Sequence, residues 1–277
     1  MKVAFLGTTA FAAGVLARLA DSPHRPVLVV TRPDRPAGRG RKLSAPPVAD
    51  AARALGIELD QPEQVNDGAA YERSAASGAE VVVVCAFGAL IRQPLLAAHP
   101  ILNVHPSLLP RWRGAAPVER AIMAGDEQTG VCIMRLTAGL DTGPVCARGV
   151  EPIAPDDTYA TLAERLEQLG SHLLLGALDA GPEEWAWEDQ PEEGVTYAEK
   201  IGPADRTLDP AASAAERERV VRALAPHIGA RVALEDGSVI GVRRARVAED
   251  GALELLEVQP PGGRPMAWAD YNRGRGA

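Results

Sequence analysis

Asn103 and His105 stand two residues apart in the apolar run 101–105 (ILNVH), directly before Pro106. Alternation along an extended chain sends both side chains to one face. A proline cannot continue a central strand, so the pair falls where the strand ends. An amide beside an imidazole suits acyl transfer: the amide donates to a developing oxyanion, and the imidazole handles protons. The residue types alone leave a plainer reading open, a histidine that caps a loop. Asp141 lies in the segment LDTGP (140–144), between the strand-like runs VCIMRL and PVCARGV. It is either a turn aspartate or a carboxylate that partners His105.

A second candidate is the segment RPDRPAGRGRKLSAPP (32–47). It holds Arg32, Arg35, Arg39, Arg41 and Lys42 against the single acid Asp34, in a chain of net charge −8. Such a chain does not hold nucleic acid by bulk charge, so a polyanion must be met by a local patch. This patch is the densest in the chain. Its four prolines and two glycines argue against any regular element. A stretch of that length without secondary structure is usually functional or disordered; the alternative is an ordinary exposed connection. Gly7-Thr8-Thr9 follows the first apolar run, but there is no GxGxxG fingerprint, no Walker motif and no Ser-His-Asp signature. Cys85, Cys132 and Cys146 form no CxxC pair, which speaks against a zinc site or disulfide framework and for a reducing compartment.

These residues require a scaffold, and the periodicity supplies one. Strands are expected at 2–6, 26–31, 80–86 and 101–105, with helical spacing over 11–19. The unbroken valines of 81–84 fit a parallel strand covered on both faces. Strands alternating with helices indicate an open, mostly parallel α/β sheet, whose ligands bind beyond the carboxyl ends of the strands. A long helix is expected over 158–181, with Leu162, Leu166, Leu169 and Leu173 on one face and Asp156 and Asp157 at its positive end. From 187 to 203 the chain is acidic and aperiodic, as a linker would be. Ser213 and Glu216 form a capping box that starts a short helix. Asp236-Gly237, Asp250-Gly251 and Pro261-Gly262-Gly263 then separate short strands of a small β domain. The division is 1–187, 188–203 and 204–277. Apolar residues make up 46% of the chain, enough for a core. No apolar run reaches membrane-spanning length, and the start reads as strand and turn and not as a signal peptide. A cytoplasmic protein with no membrane partner is expected.

Taken together, GTTAFA (7–12), RPDRPAGRGRKLSAPPV (32–48), CAFGALI (85–91), LNVHPSLLPRWRGAAP (102–117), GLDTGPV (139–145) and TYAEKI (196–201) resemble the methionyl-tRNA formyltransferases, in that family's order. The Asn-x-His plus Asp set is shared by enzymes that use 10-formyltetrahydrofolate, so it speaks for the chemistry. The Arg-rich loop and SLLPRWRGAAP speak for the tRNA acceptor. The resemblance implies a Rossmann-like formyltransferase domain over 1–187, a linker over 188–203 and a small, shortened β-barrel-like domain over 204–277 that contacts tRNA. It implies a catalytic trio: Asn103 holds the formyl oxygen, and His105, its charge favoured by Asp141, shares in that stabilisation and in proton movement. Phe87, Gly88, Leu90, Ile91, Ser107, Leu108, Leu109, Pro110 and Leu140 match the segments that line the folate pocket. Arg39 matches an arginine inserted against the acceptor stem, flanked by Arg35, Arg41 and Lys42. The implied partners are initiator methionyl-tRNA and the folate donor, with no metal and with the chain acting as a monomer. The sequence departs from the family pattern at Thr9-Ala10, at Ala225-Pro226-His227-Ile228 and in a shortened stretch between Val247 and Leu253. An alternative keeps the donor and changes the acceptor to an amino-sugar nucleotide, which needs no basic insertion.

Overall fold

The computed structural model describes residues 1–37 and 42–274 of the 277. Strand β1 (Val3–Gly7) is an unbroken apolar run with all five residues buried. At its end a Cβ on Gly7 would lie 2.7 Å from the Phe5 ring and 2.8 Å from Ala12 Cβ, so only a hydrogen fits there. Helix α1 (Ala10–Ala20) starts where the Thr9 hydroxyl accepts the Ala12 N–H. Strand β2 (Pro26–Val30) follows.

The segment expected to lack regular structure contains some. Strands β3 (Arg35–Ala37) and β4 (Lys42–Ser44) pair antiparallel, with Pro36 opposite Leu43. A proline is tolerated there because a two-stranded ribbon has two edges, on which a missing N–H breaks no ladder. Helix α2 (Pro47–Leu55) begins with Pro47 at its first position, where the absent N–H would be unpaired anyway. Then come β5 (Leu59–Asp60), α3 (Gly68–Ala76), β6 (Val81–Cys85), α4 (Leu95–Ala98) and β7 (Ile101–His105). After β8 (Arg113–Gly114) and α5 (Pro117–Ala124), the chain forms β9 (Gln128–Arg135), β10 (Val145–Pro152), α6 (Tyr159–Ala180) and β11 (Tyr197–Ala198).

Seven strands make the main sheet, in the order β10-β9-β7-β6-β1-β2-β5. The neighbours β5-β2-β1-β6-β7 run parallel, and β9 returns antiparallel to β7. The chain builds β2 and β5 on one side of β1, then crosses to build β6 and β7 on the other. The order therefore reverses between β1 and β6, and ligands of open α/β sheets bind beyond the carboxyl ends of the strands at such a point. Gly7 is level with Cys85, and Cys85 is level with Val104, so the ends of β1, β6 and β7 meet at one edge. Val81, Val82, Val83 and Val84 are all buried. Each such side chain contributes roughly 1.5–3 kcal/mol relative to exposure.

Contacts divide the chain into two units: Met1–Ala115, Gly130–Glu151 and Glu164–Tyr197 in the first, Ala116–Thr129, Pro152–Ala163 and Ala198–Ala277 in the second. Thus α5 and the start of α6, which lie within 1–187, group with the carboxyl-terminal residues. In the second unit, α7 (Ala214–Leu224) opens with the expected capping box of Ser213 and Glu216. It packs Val221 and Leu224 against Leu208, Ala230 and Val242. Strands β12 (Ala230–Ala233), β13 (Val239–Val247), β14 (Leu253–Gln259) and β15 (Met266–Ala267) form an antiparallel sheet in chain order, followed by α8 (Trp268–Arg273). Its turns fall at the Asp-Gly and Pro-Gly-Gly positions expected. Within this unit Arg120 meets Asp205 at 2.7 Å and holds its carboxyl below the usual carboxylate range. His227 bonds Glu119 at 3.0 Å and stacks on Tyr159. Among the described residues no helix is long and apolar enough to cross a membrane.

Candidate active site

Alternation along β7 turns Asn103 and His105 to the same face, and both are buried. In register beside them on β9 lie Met134 and Cys132. A buried polar group is costly unless paired, and the partners are explicit. His105 Nε2 lies 2.9 Å from the carbonyl oxygen of Trp112. A carbonyl only accepts, so Nε2 carries a hydrogen. The other ring nitrogen, Nδ1, faces Asp141 Oδ2 at 3.6 Å. That oxygen also accepts the Gly114 N–H at 2.8 Å, while Oδ1 faces the Asn103 amide nitrogen at 3.5 Å. The carboxylate is thus placed between the amide and the imidazole. The contact with Asn103 is at the long limit of a hydrogen bond. An amide has two N–H donors, so the one leaning on Asp141 leaves another for an oxygen set before it.

The loop that carries Asp141 is shaped to present it. Asp141 has φ +49°, in the left-handed region that aspartate tolerates better than most residues. Two residues on, a Cβ at Gly143 would lie 1.9 Å from the Arg135 carbonyl oxygen, so the loop closes on β9 only with glycine. Gln190 donates its side-chain N–H groups to the carbonyls of Asp141 and Gly143, both at 2.8 Å. Its Oε1 accepts two bonds from the Arg113 guanidinium, at 3.0 and 2.7 Å. On the other flank Trp112, with φ +64°, is held by its own N–H to the Thr196 hydroxyl at 2.9 Å. The Ser107 hydroxyl donates to the Arg111 carbonyl at 2.6 Å and closes the turn after β7.

Just beyond the ends of β1 and β6, the Thr8 hydroxyl donates to the Phe87 carbonyl at 2.7 Å, and Arg32 reaches the Gly88 carbonyl at 3.3 Å. The segment after β6 is divided in character. Phe87 and Ile91 are buried in the core with Leu95, whereas Gly88 and Leu90 are exposed, Leu90 at 60%. Leu109 is buried against Cys132, Met134 and Val145. Leu108 and Pro110 are half-buried, and Leu140 is 50% exposed. Of the basic candidates, Arg35 and Lys42 are exposed on the β3–β4 ribbon, and Arg39 and Arg41 lie outside the described residues. The base of that segment is anchored: Gln61 donates to the Arg32 carbonyl and to Asp34, and Arg53 to Gln61.

Among the described residues no group of three or more His, Cys, Asp or Glu side chains could hold a metal. Burial pushes the Cys85 and Cys132 thiols up, and Cys146 up to about 11, so none supplies a ready thiolate near neutral pH. Sequence reasoning missed Gln190, Arg113, Thr8 and the Trp112 carbonyl. The carbonyl has no sequence signal, and Gln190 sits in an acidic, aperiodic stretch that reads as a connection. That stretch is in fact tied down, with Glu188 bridged to Val145.

A formyl transferase family model matches residues 1–178. The methionyl-tRNA formyltransferase of Dechloromonas aromatica is 44% identical over 288 residues, covering 96% of this chain and 93% of the relative. Among solved structures, HypX from Aquifex aeolicus in complex with tetrahydrofolic acid superposes with TM-score 0.69 at 16% identity, over 98% of this chain and 46% of that one. An N-formyltransferase from Helicobacter canadensis in complex with folinic acid and dTDP-3-aminofucose gives TM-score 0.67 at 15% identity, over 90% of this chain and 88% of that one. Those two likenesses show the fold. The sequence similarity runs through both units, well past the end of the family domain, and on that ground the chain belongs to the methionyl-tRNA formyltransferase family.

Proposed function

We propose that the protein transfers the formyl group of 10-formyltetrahydrofolate to the α-amino group of initiator methionyl-tRNA, acting as a cytoplasmic monomer. The observation that carries the reading is the meeting of Asn103, His105 and Asp141 at the end of β7 in a chain of this family. The methionine amine attacks the formyl carbon, a C–N bond forms, and the carbonyl electron pair moves to oxygen. Asn103 donates to that oxygen as it becomes an oxyanion. His105, its Nε2 hydrogen held on the Trp112 carbonyl and its Nδ1 toward the Asp141 carboxylate, stands beside it, and the His105–Asp141 pair shares in that stabilisation and in moving the proton the amine loses. The bond from the formyl carbon to N10 then breaks, and N10 leaves with a proton. No metal is required for this sequence of bond changes.

The donor binds beyond the carboxyl ends of β1, β6 and β7. Gly88, Leu90, Leu108, Pro110 and Leu140 face it, while Phe87, Ile91, Ser107 and Leu109 serve as its floor and through their backbone groups. The acceptor stem meets Arg35, Arg39, Arg41 and Lys42, which concentrate positive charge that the whole chain lacks. Residues 1–187 carry the chemistry. Residues 188–203 connect, and 204–277 add tRNA affinity. The test is a transfer assay with 10-formyltetrahydrofolate, offering methionyl-tRNA and an amino-sugar nucleotide side by side. Transfer to methionyl-tRNA is expected; transfer to the sugar nucleotide alone would refute the assignment.

A further inference from the structure

Gln190 belongs to no motif of the chemistry, yet all of its side-chain hydrogen-bonding capacity is aimed at the candidate site. Both amide hydrogens go to carbonyls of the loop 141–143, and its oxygen takes two bonds from one guanidinium. The direction is forced: two carbonyls need donors, and an arginine needs an acceptor. Arg113 in turn is fixed to the main chain, its N–H donating to the Thr196 carbonyl at 2.9 Å. The next residue, Gly114, donates its N–H to the Asp141 carboxylate. Asp141 is thus gripped from both ends by one short segment, the carboxylate directly and the carbonyl through Gln190. The grip matters because the Asp141 backbone is left-handed. That conformation costs energy for a residue with a Cβ and persists only where the surroundings hold it. Its contacts to His105 and Asn103, at 3.6 and 3.5 Å, are too long to hold the carboxylate by themselves.

We propose that Gln190, oriented by Arg113, is a positioning residue for formyl transfer: it holds the Asp141 loop so that the carboxylate stays between Asn103 and His105. The inference rests on the reading of those three as the catalytic set. Gln190 touches no reacting atom, so its removal acts on turnover through Asp141. A displacement on the order of 1 Å in such a group lowers rate by about a hundredfold.

The experiment is a double-mutant cycle on the full chain. Single-turnover transfer from 10-formyltetrahydrofolate to methionyl-tRNA is measured for wild type, Asp141→Ala, Gln190→Ala and the double variant, with donor KM and Tm alongside. Gln190→Ala is expected to lower kcat by about 10- to 100-fold with donor KM little changed. The double variant should be no slower than Asp141→Ala alone. Gln190→Glu keeps the size and gains an ion pair with Arg113, but it turns a carboxylate toward two carbonyl oxygens. It should keep Tm and still lose turnover. Wild-type turnover in Gln190→Glu, or a Gln190→Ala loss that is equally large without Asp141, would overturn the proposal. Wild-type turnover in Asp141→Ala would instead overturn the catalytic set itself.

Discussion

Asn103 offers the sharpest separation of function from stability. In Asn103→Ala the fold loses little: the side chain is small, and its amide meets Asp141 at a long 3.5 Å. A net hydrogen bond is worth about 0.5–1.5 kcal/mol at normal length, so the cost here lies at or below that range. For a chain of this size the shift is at most a few degrees in Tm, at about 2–4 °C per kcal/mol. Turnover should fall far more, because removing one oxyanion donor costs about 2.7–4 kcal/mol, or roughly a hundred- to a thousandfold. Asn103→Asp, nearly isosteric, should be worse for the fold than truncation. It sets a second carboxylate 3.5 Å from that of Asp141. Two like charges at that distance repel by about 5 kcal/mol at an effective dielectric constant of 20. The assays are formyl transfer to methionyl-tRNA and thermal melting of the three proteins. The reasoning fails if Asn103→Ala keeps near wild-type kcat, or if Asn103→Asp melts with wild type.

Three further outcomes follow from other parts of the molecule. Gly143→Ala would set a Cβ 1.9 Å from the Arg135 carbonyl oxygen, so the loop must shift; kcat should drop with the Asp141 position, and steady-state kinetics checks it. The Asp205 carboxyl lies below its ordinary 3.8 through its bond to Arg120, so the pair stabilises the fold above that pH and loses its contribution as pH falls through the folded value. Asp205→Asn should therefore lower the urea midpoint by a constant amount from neutral pH to about 4, with the gap to wild type closing below that; a gap that grows in acid would contradict the sign. Reversing Arg41 and Lys42 to Glu should weaken tRNA binding and flatten its log–log salt dependence by about one unit per lost phosphate contact, measured by filter binding at several salt concentrations, with folate binding unchanged.

Much of the frame was legible in the residues because it rests on local rules. The valines of β6 read as a covered parallel strand, and they are one. Ser213 and Glu216 read as a helix start, because a capping box is closed within four residues. Asn103 and His105 share a face because alternation along a strand allows nothing else, and Pro106 marks where the strand must end. The parts that escaped depend on contacts between distant segments. Asp141 reaches Gly114 across 27 residues and receives Gln190 across 49. No periodicity encodes either contact, since a loop's path is set by what it closes against. The ribbon of β3 and β4 escaped for the opposite reason, as proline content forbids a central strand but not a two-stranded edge. That α5 groups with residues 198–277 was likewise hidden: its apolar face, read alone, specifies burial and not the partner. Local rules of the chain were enough to say which side chains leave β7 together and the chemistry they can do. What holds them in place came from the folded arrangement, because hydrogen bonds between loops are chosen by three-dimensional proximity and leave no spacing in the chain.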